Sequence, residues 1–432
     1  MPPKNIYLIN PFITKSDVPD QYFCDRETET ARLISSALNG NNTVLTAERR
    51  IGKSTLLKHV MRQKEVTENF NTLFVDIYKT TDLKRFVEVL SNALLESEFG
   101  RGERASKKLM DAIPEIKFFA KLQAGPISAG IETSLKNEYR GTLDRIFKFL
   151  RETSRPNLVI IDEFQTIEKY EGEKMAETLR TYMQATPNTQ FIFSGSQRHM
   201  LHSMFKDANK PFYKSALPME LQMIPEKTYT EFCQRLFTTK QRKITEEAVH
   251  FAYTLFQGNT FEMQQIMNRV FSYTPLKAIA DVENVRYAVT DLMEENEANY
   301  RFLFTMQNAK KERTEKEKNL LRCIGIEGLA STLMSTEMST TYSLGGASSI
   351  QSSLDKLTEG DSPVVNKIGN SSFRLSDTMF ELWIAAKNDL LEEKFEAAES
   401  RFKSEQEAMK DNPMNSLPKI KRRKSPDGEN KR

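Results

Sequence analysis

Short, unbroken apolar runs alternate with amphipathic stripes over the first half of the chain. Val44-Leu45-Thr46-Ala47 leads through Glu48 to Thr55 into Leu56, Leu57 and Val60 at helical spacing, which predicts strand, loop and helix. Thr72-Leu73-Phe74-Val75-Asp76-Ile77 is a second strand, followed from about Asp82 by a helix with Phe86, Val89, Leu90 and Leu94 on one stripe. Leu158-Val159-Ile160-Ile161 and Phe191-Ile192-Phe193-Ser194 give a third and a fourth. Continuous apolar strands separated by helices predict a parallel sheet covered on both faces, hence an α/β core.

Between the second and third strands, Lys117 to Leu122 and Ile127 to Glu132 flank Gly125-Pro126, and this predicts a β-hairpin insert near 115–135. From Pro225 the pattern turns helical, with Phe251, Leu255, Phe256, then Met263, Ile266, Met267 and Val270 around Gly258-Asn259-Thr260. A small helical domain is expected there. A charged helix follows over Lys310 to Arg322, then the Leu320-Leu321-Ile324 face, a Ser-capped helix with Ile350, Leu354 and Leu357, two short strands at Val364-Val365 and Ser372 to Leu375, and a helix bearing Phe380, Trp383 and Ile384. Helix-turn-helix plus β-wing is the architecture this order predicts. The expected boundaries are 1–224 for the core with its insert, 225–300 for a helical lid, 301–400 for a winged helix and 401–432 for a tail.

With 432 residues, the chain is long enough for two or three domains, and its 39% hydrophobic and 28% charged content is that of a globular protein. No apolar run nears the roughly 18 residues that a bilayer span needs, and Ile6-Tyr7-Leu8-Ile9 is too brief for a signal-peptide core, so a cytoplasmic protein without membrane contact is expected. Cys24, Cys233 and Cys323 have no paired spacing, and His59, His199, His202 and His250 make no ligand pattern with them, which predicts reduced thiols and no structural zinc. Lys410 to Arg432 holds eight basic and three acidic residues, so the overall charge of +3 leaves −2 for the rest. The run Lys419-Ile420-Lys421-Arg422-Arg423-Lys424 therefore reads as a disordered tail, either a solubilising end or a polyanion contact.

A triphosphate needs backbone N–H groups aimed at its oxygens, a lysine against its charge and a hydroxyl to help hold Mg²⁺. A loop between strand and helix ending in Gly52-Lys53-Ser54 supplies all three, with Ala47 where the full motif has its first glycine. About a hundred residues on, an apolar strand ends in Asp162-Glu163, where such a sheet places a Mg²⁺-binding carboxylate beside a base for the attacking water. Alone, an acidic pair after an apolar run is a strand leaving the core; beside the Gly-Lys-Ser loop it completes a phosphate site. The fourth strand ends in Ser194 to Arg198 at the same edge, where Ser196 or Gln197 either senses the γ-phosphate or caps a helix.

From Asn10 to Asn388 the chain resembles the archaeal-ATPase family, AAA+-related P-loop ATPases of the STAND group that share features with Orc/Cdc6 initiators. Tyr22 to Glu29 is similar to that family's hydrophobic-Gly-Arg-x-x-Glu element near the adenine, with Asp25 for glycine and Arg26 in place. Arg49 to Ser54 resembles its Pro-Arg-Arg-x-Gly-Lys-Thr loop, with Glu48 for proline, and Asp162-Glu163-Phe164-Gln165 and Phe193 to Ser196 resemble its acidic and sensor strands. The resemblance implies a five-stranded parallel sheet, a helical lid and a C-terminal winged helix. It also implies ATP and Mg²⁺ as cofactors, bound by Arg26, Arg50, Ile51, Gly52, Lys53, Ser54 and Thr55, with Ser54 and Asp162 at the metal. The catalytic set it implies is Glu163 and Lys53, with Ser196 as a sensor. Where members carry Pro-Leu-Tyr-Gly-Arg this chain has Pro211-Phe212-Tyr213-Lys214, which leaves Arg198 as the substitute arginine, and Gly258-Asn259-Thr260 replaces the lid's Gly-x-Pro.

The function these features predict is Mg-dependent ATP hydrolysis used as a conformational switch. A nucleotide-stabilised regulator that docks DNA or protein through its winged helix and tail is the alternative. The helix from Ser348 to Leu357 offers Lys356 as its one base, beside Asp355, which weighs against strong phosphate contact. Self-assembly stays open.

Overall fold

The structure is a computed structural model that describes residues 10–15, 17–97, 99–116, 136–170, 174–360, 363–369 and 371–410. Most of the expected hairpin insert and the basic run 419–424 lie outside the described residues. The chain divides into two compact units, Met1–Leu236 with Gly258–Phe271, and Phe237–Gln257 with Ser272–Arg432. Residues 225–300, expected as one lid, are thus shared between both.

In the first unit, strands β1 (Thr43–Ala47), β2 (Asn71–Asp76), β3 (Asn157–Asp162), β4 (Thr189–Gly195) and β5 (Leu217–Leu221) form a parallel sheet in the order β2-β3-β4-β1-β5. Successive strand side chains take opposite faces. Val159, Ile161, Phe191 and Phe193 accordingly join one core with Phe86, Leu90, Leu143 and Ile146, while Leu158, Ile160 and Ile192 join another with Leu33, Leu56, Leu57 and Val60. The sheet is covered on both faces, as the unbroken apolar runs predict. Strand β5 was not marked by such a run. It is an edge strand, with Leu217, Pro218 and Glu220 exposed and Met219 and Leu221 buried, so its pattern alternates and tolerates a proline.

In the second unit, the helices Glu315–Glu327, Thr336–Thr341 and Ala347–Thr358 lead into an antiparallel ribbon, Val365–Ile368 with Ser372–Leu375, and then into Thr378–Ala386. An isolated antiparallel bridge joins Ala330 to Phe373 of this two-stranded ribbon. Two local expectations change. The charged helix begins at Glu315 rather than Lys310, because Thr314 and Glu317 close a reciprocal capping box and Met306–Asn308 pairs with Lys311–Glu312 just before it. The helix at Ala347 follows Gly346, without a side-chain cap. Helix Leu391–Lys410 runs past the boundary placed at residue 400: it buries Phe395 and Ala398, and Arg286 pairs with its Glu392 and Glu399.

Candidate functional site

Strand β1 ends at Ala47, which is buried and paired with Leu221. The position that the full phosphate-loop motif gives to glycine is here the last residue of a strand, so extended backbone suits it and alanine fits. The turn itself falls later, where Arg50 (φ 64°) and Gly52 (φ 89°) adopt left-handed backbone. Left-handed geometry costs a side-chain-bearing residue roughly 1–2 kcal/mol, and the contacts on Arg50 offset it. Its carbonyl accepts from Phe261 N at 2.9 Å and its guanidinium lies 5.4 Å from the Phe261 ring centroid. Helix Lys53–Arg62 then starts from Gly52 with no side-chain cap, leaving its first N–H groups directed into the loop.

Seven polar side chains converge at the carboxyl edge of β1, β3 and β4. Lys53, buried, reaches Asp162 Oδ1 and lies 3.2 Å from Glu163 Oε1. Ser54 Oγ donates to Asp162 Oδ2 at 2.6 Å, and Ser194 Oγ donates to Oδ1 at 2.6 Å. Burial pushes the Asp162 carboxyl up, but the Lys53 charge and the hydrogen bonds from Lys53, Ser194 and Ser54 bring it below the usual carboxylate range. Glu163, at φ 56°, accepts at Oε2 from Gln165 Nε2 at 2.6 Å and from Ser196 Oγ at 3.0 Å. Phe164 anchors this turn, its ring 4.4 Å from Phe193 and 5.1 Å from Phe212 between centroids.

The remaining expected residues divide. Thr55 follows Ser54 on the first helical turn. Ile51 is buried in the core, so only its backbone faces the loop, and its carbonyl lies 3.5 Å from Arg26 Nη2. Arg26, buried at φ 81°, also pairs with Glu29 at 3.0 Å, so it fastens the loop from behind. Arg198 pairs with Glu48 at 3.6 Å and Glu220 at 2.9 Å. Its charge is thus engaged by the residue standing for the resembled proline and by strand β5. Gln197 precedes helix Arg198–Lys206 without a side-chain cap. Asn259 Oδ1 accepts from Phe261 N at 3.2 Å and Glu262 N at 3.3 Å, so Gly258-Asn259-Thr260 begins a helix as well as ending one, and Thr260 Cγ2 would lie 3.9 Å from a Cβ placed on Gly52.

One site residue was missed. Asp76 ends β2 in register with Asp162; burial holds its carboxyl above the ordinary range, the Tyr78 N–H opposes that, and the charges of Asp162 and Glu163 add to it. The signal was present in the sequence, an acid closing an apolar strand at the same sheet edge.

A family model described as "AAA domain" matches residues 38–204, and one described as "Probable winged helix domain" matches residues 304–386. The chain carries an AAA domain followed by a winged helix. Among solved structures, the Walker-type ATPase of Pyrococcus abyssi aligns with a TM-score of 0.57 at 17% identity, covering 87% of this chain and 99% of that one. The ORC2 protein of Aeropyrum pernix, solved as ADPNP-ADP complexes, aligns with a TM-score of 0.52 at 15% identity, covering 90% and 97%. At these identities the likeness is one of fold. No curated protein matches the chain. Among the described residues, no helix is long and apolar enough to cross a membrane.

The AAA domain's donor set suits Mg²⁺ held together with a nucleotide. One buried carboxylate and one hydroxyl meet at a helix N-terminus, and among the described residues no group of three His, Cys, Asp or Glu side chains could hold a metal alone. Mg²⁺ is commonly bound through one or two carboxylates plus substrate phosphates.

Proposed function

We propose that the protein binds Mg-ATP at the Gly52-Lys53-Ser54 loop and hydrolyses it slowly, as a conformational switch. The observation that carries this reading is the convergence of Lys53, Ser54 and Ser194 on the buried Asp162 carboxylate, with Glu163 beside it. A buried lysine between two carboxylates, at a helix start without a cap, is a charge arrangement that a phosphate can enter by taking over the lysine.

In this reading Lys53 and the loop N–H groups around Arg50 and Ile51 bind the phosphates, and Ser54 and Asp162 hold Mg²⁺, which supplies charge neutralisation at the phosphates. Glu163 takes the proton of the attacking water, and Ser196 reports on the γ-phosphate. The lid is assigned to 225–300 and the winged helix to 301–400. The ADPNP-ADP complexes of the Aeropyrum pernix ORC2 protein support a nucleotide for this fold. Slow turnover follows from Arg198, the substitute arginine, being engaged by Glu48 and Glu220.

Equilibrium binding of ATP and GTP with Mg²⁺ to the wild type and Lys53→Ala, with phosphate release followed in the same samples, tests the proposal. Tight ATP binding that disappears in Lys53→Ala, with release of a few turnovers per minute or less, is the expected result. Absence of ATP binding to the wild type would remove the reading. The second reading, a protein-docking or DNA-docking regulator, is favoured in its protein form by one contact: Lys356 of the helix Ala347–Thr358 is paired with Glu317 at 3.0 Å.

A further inference from the structure

The loop after β3 and the end of β4 approach each other more closely than a sheet edge requires. Gln165 is 2% exposed, and its side chain runs back beneath Glu163, donating from Nε2 to Glu163 Oε2 at 2.6 Å. Its other end lies against Gly195, where a Cβ would stand 1.9 Å from Gln165 Oε1 and 3.0 Å from its Cδ, with Leu201 Cδ1 at 2.8 Å on another side. Gln165 Oε1 itself is buried and accepts no hydrogen bond among the described residues. Leaving a buried amide oxygen without a partner is unfavourable, so the packing tolerates a loss there in order to keep Nε2 on the glutamate. The next residue in β4's path, Ser196, meets the same carboxylate oxygen through Oγ at 3.0 Å and N at 3.4 Å.

We propose that Gln165, wedged against Gly195, is a positioning residue that sets where the Glu163 carboxylate stands for hydrolysis. This rests on the hydrolysis reading given above. Glu163 sits in left-handed backbone at φ 56°, directly after the strand, so little of its own backbone restrains it in a regular ladder. The neighbouring amide and serine fix the side chain instead. Gly195 is then required for room rather than for its backbone angle, because any side chain there displaces Gln165. Gln165 touches neither phosphate nor metal in this arrangement; it acts through Glu163.

The test uses the full chain as wild type, Gln165→Ala, Gly195→Ala and the double variant, read by steady-state ATP hydrolysis and by crystal structures. Misplacing a reacting group by about 1 Å can cost about a hundredfold. Gln165→Ala and Gly195→Ala are each expected to lower kcat by about tenfold to a hundredfold, with KM for ATP within about twofold. The double variant is expected to be no slower than Gln165→Ala, because the Cβ at 195 then has no amide to displace and meets only Leu201 Cδ1, the far end of a side chain that can turn aside. An additive double variant, or a Gln165→Ala enzyme with wild-type kcat, overturns the proposal. If the wild type binds ATP without turnover, the hydrolysis reading fails separately. The crystal structures then decide: a Glu163 carboxylate shifted off Ser196 in Gln165→Ala supports the positioning role, and an unmoved one overturns it.

Discussion

The two units use their buried charges in opposite ways. In the AAA unit, Lys53, Asp162 and Glu163 are drawn to one sheet edge, next to an uncapped helix start, where like charges are crowded and Asp76 is added in register. In the winged unit, one buried charge, Glu317, is used up by structure: its carboxylate closes the capping box on Thr314 N and pairs with Lys356. Burial raises the Glu317 carboxyl, and Lys356 and the Thr314 N–H bring it below the ordinary range. The first arrangement crowds like charges beside an open helix start, as the proposed phosphate site would use, whereas the second is complete within the fold. Charge at a ligand site is therefore recognised by crowding and incomplete geometry rather than by the number of ion pairs.

The largest effect that would break this contrast is catalytic. Glu163→Gln is expected to lower kcat by about a hundredfold to ten-thousandfold, with ATP binding retained, while Lys356→Ala leaves turnover unchanged. Phosphate-release assays on both variants check it, and equal losses would mean that the two regions are not functionally distinct.

Next in size is stability without nucleotide. Lys53→Ala strands the buried Asp162 carboxylate and is expected to cost about 3 kcal/mol, which Asp162→Asn in the same chain should largely restore. Lys356, 39% exposed, leaves behind a glutamate still bonded to Thr314 N, so Lys356→Ala is expected to cost about 1 kcal/mol or less. Urea unfolding of the three variants measures the difference.

How much of this was legible in the sequence depends on what each residue's role requires. Strands β1 to β4 were readable because burial on both faces leaves unbroken apolar runs, and the loop and acidic pair were readable because phosphate chemistry restricts residue type. β5 alternates and carries Pro218, so its strand character depends on β1 beside it. Ala47, which stands where the full motif has its first glycine, closes the strand that the apolar run predicts. For Arg26, Ile51 and Arg198, which neighbour each charge or side chain meets is decided by packing, as the pairs with Glu29, Glu48 and Glu220 show. The start of the helix at Glu315 was readable in Thr314-Glu315-Lys316-Glu317, a capping-box spacing that the run of charges from Lys310 obscured.

A smaller effect concerns the recognition-position helix. Each lysine that neutralises a duplex phosphate contributes about 0.9 to the slope of log affinity against log salt. With Lys356 committed to Glu317, Lys356→Ala is expected to leave the salt dependence of any duplex binding unchanged. Titration by fluorescence anisotropy at several salt concentrations checks this, and a slope lowered by about one unit would place that helix on DNA after all.

The smallest effect is one of pH, at the helix Glu297–Thr305 of the winged unit. Glu297 accepts from Trp383 Nε1 and pairs with Arg301 at 2.9 Å and Lys387 at 3.2 Å. The Trp383 hydrogen bond first, then Arg301, outweigh burial and hold its carboxyl down to about 2, against an ordinary 4.5. The ionised form is favoured in the folded state, so its contribution is fully present above pH 4.5 and is lost as pH falls towards about 2. Glu297→Gln should therefore unfold at a lower temperature than the wild type near neutrality, and the gap should close steadily below pH 4.5. Because the pair is partly exposed, the gap should also shrink in salt, where the buried Lys53 and Asp162 pair is screened much less. A gap that ignores both pH and salt would show that the glutamate's packing, rather than its charge, supports the helix.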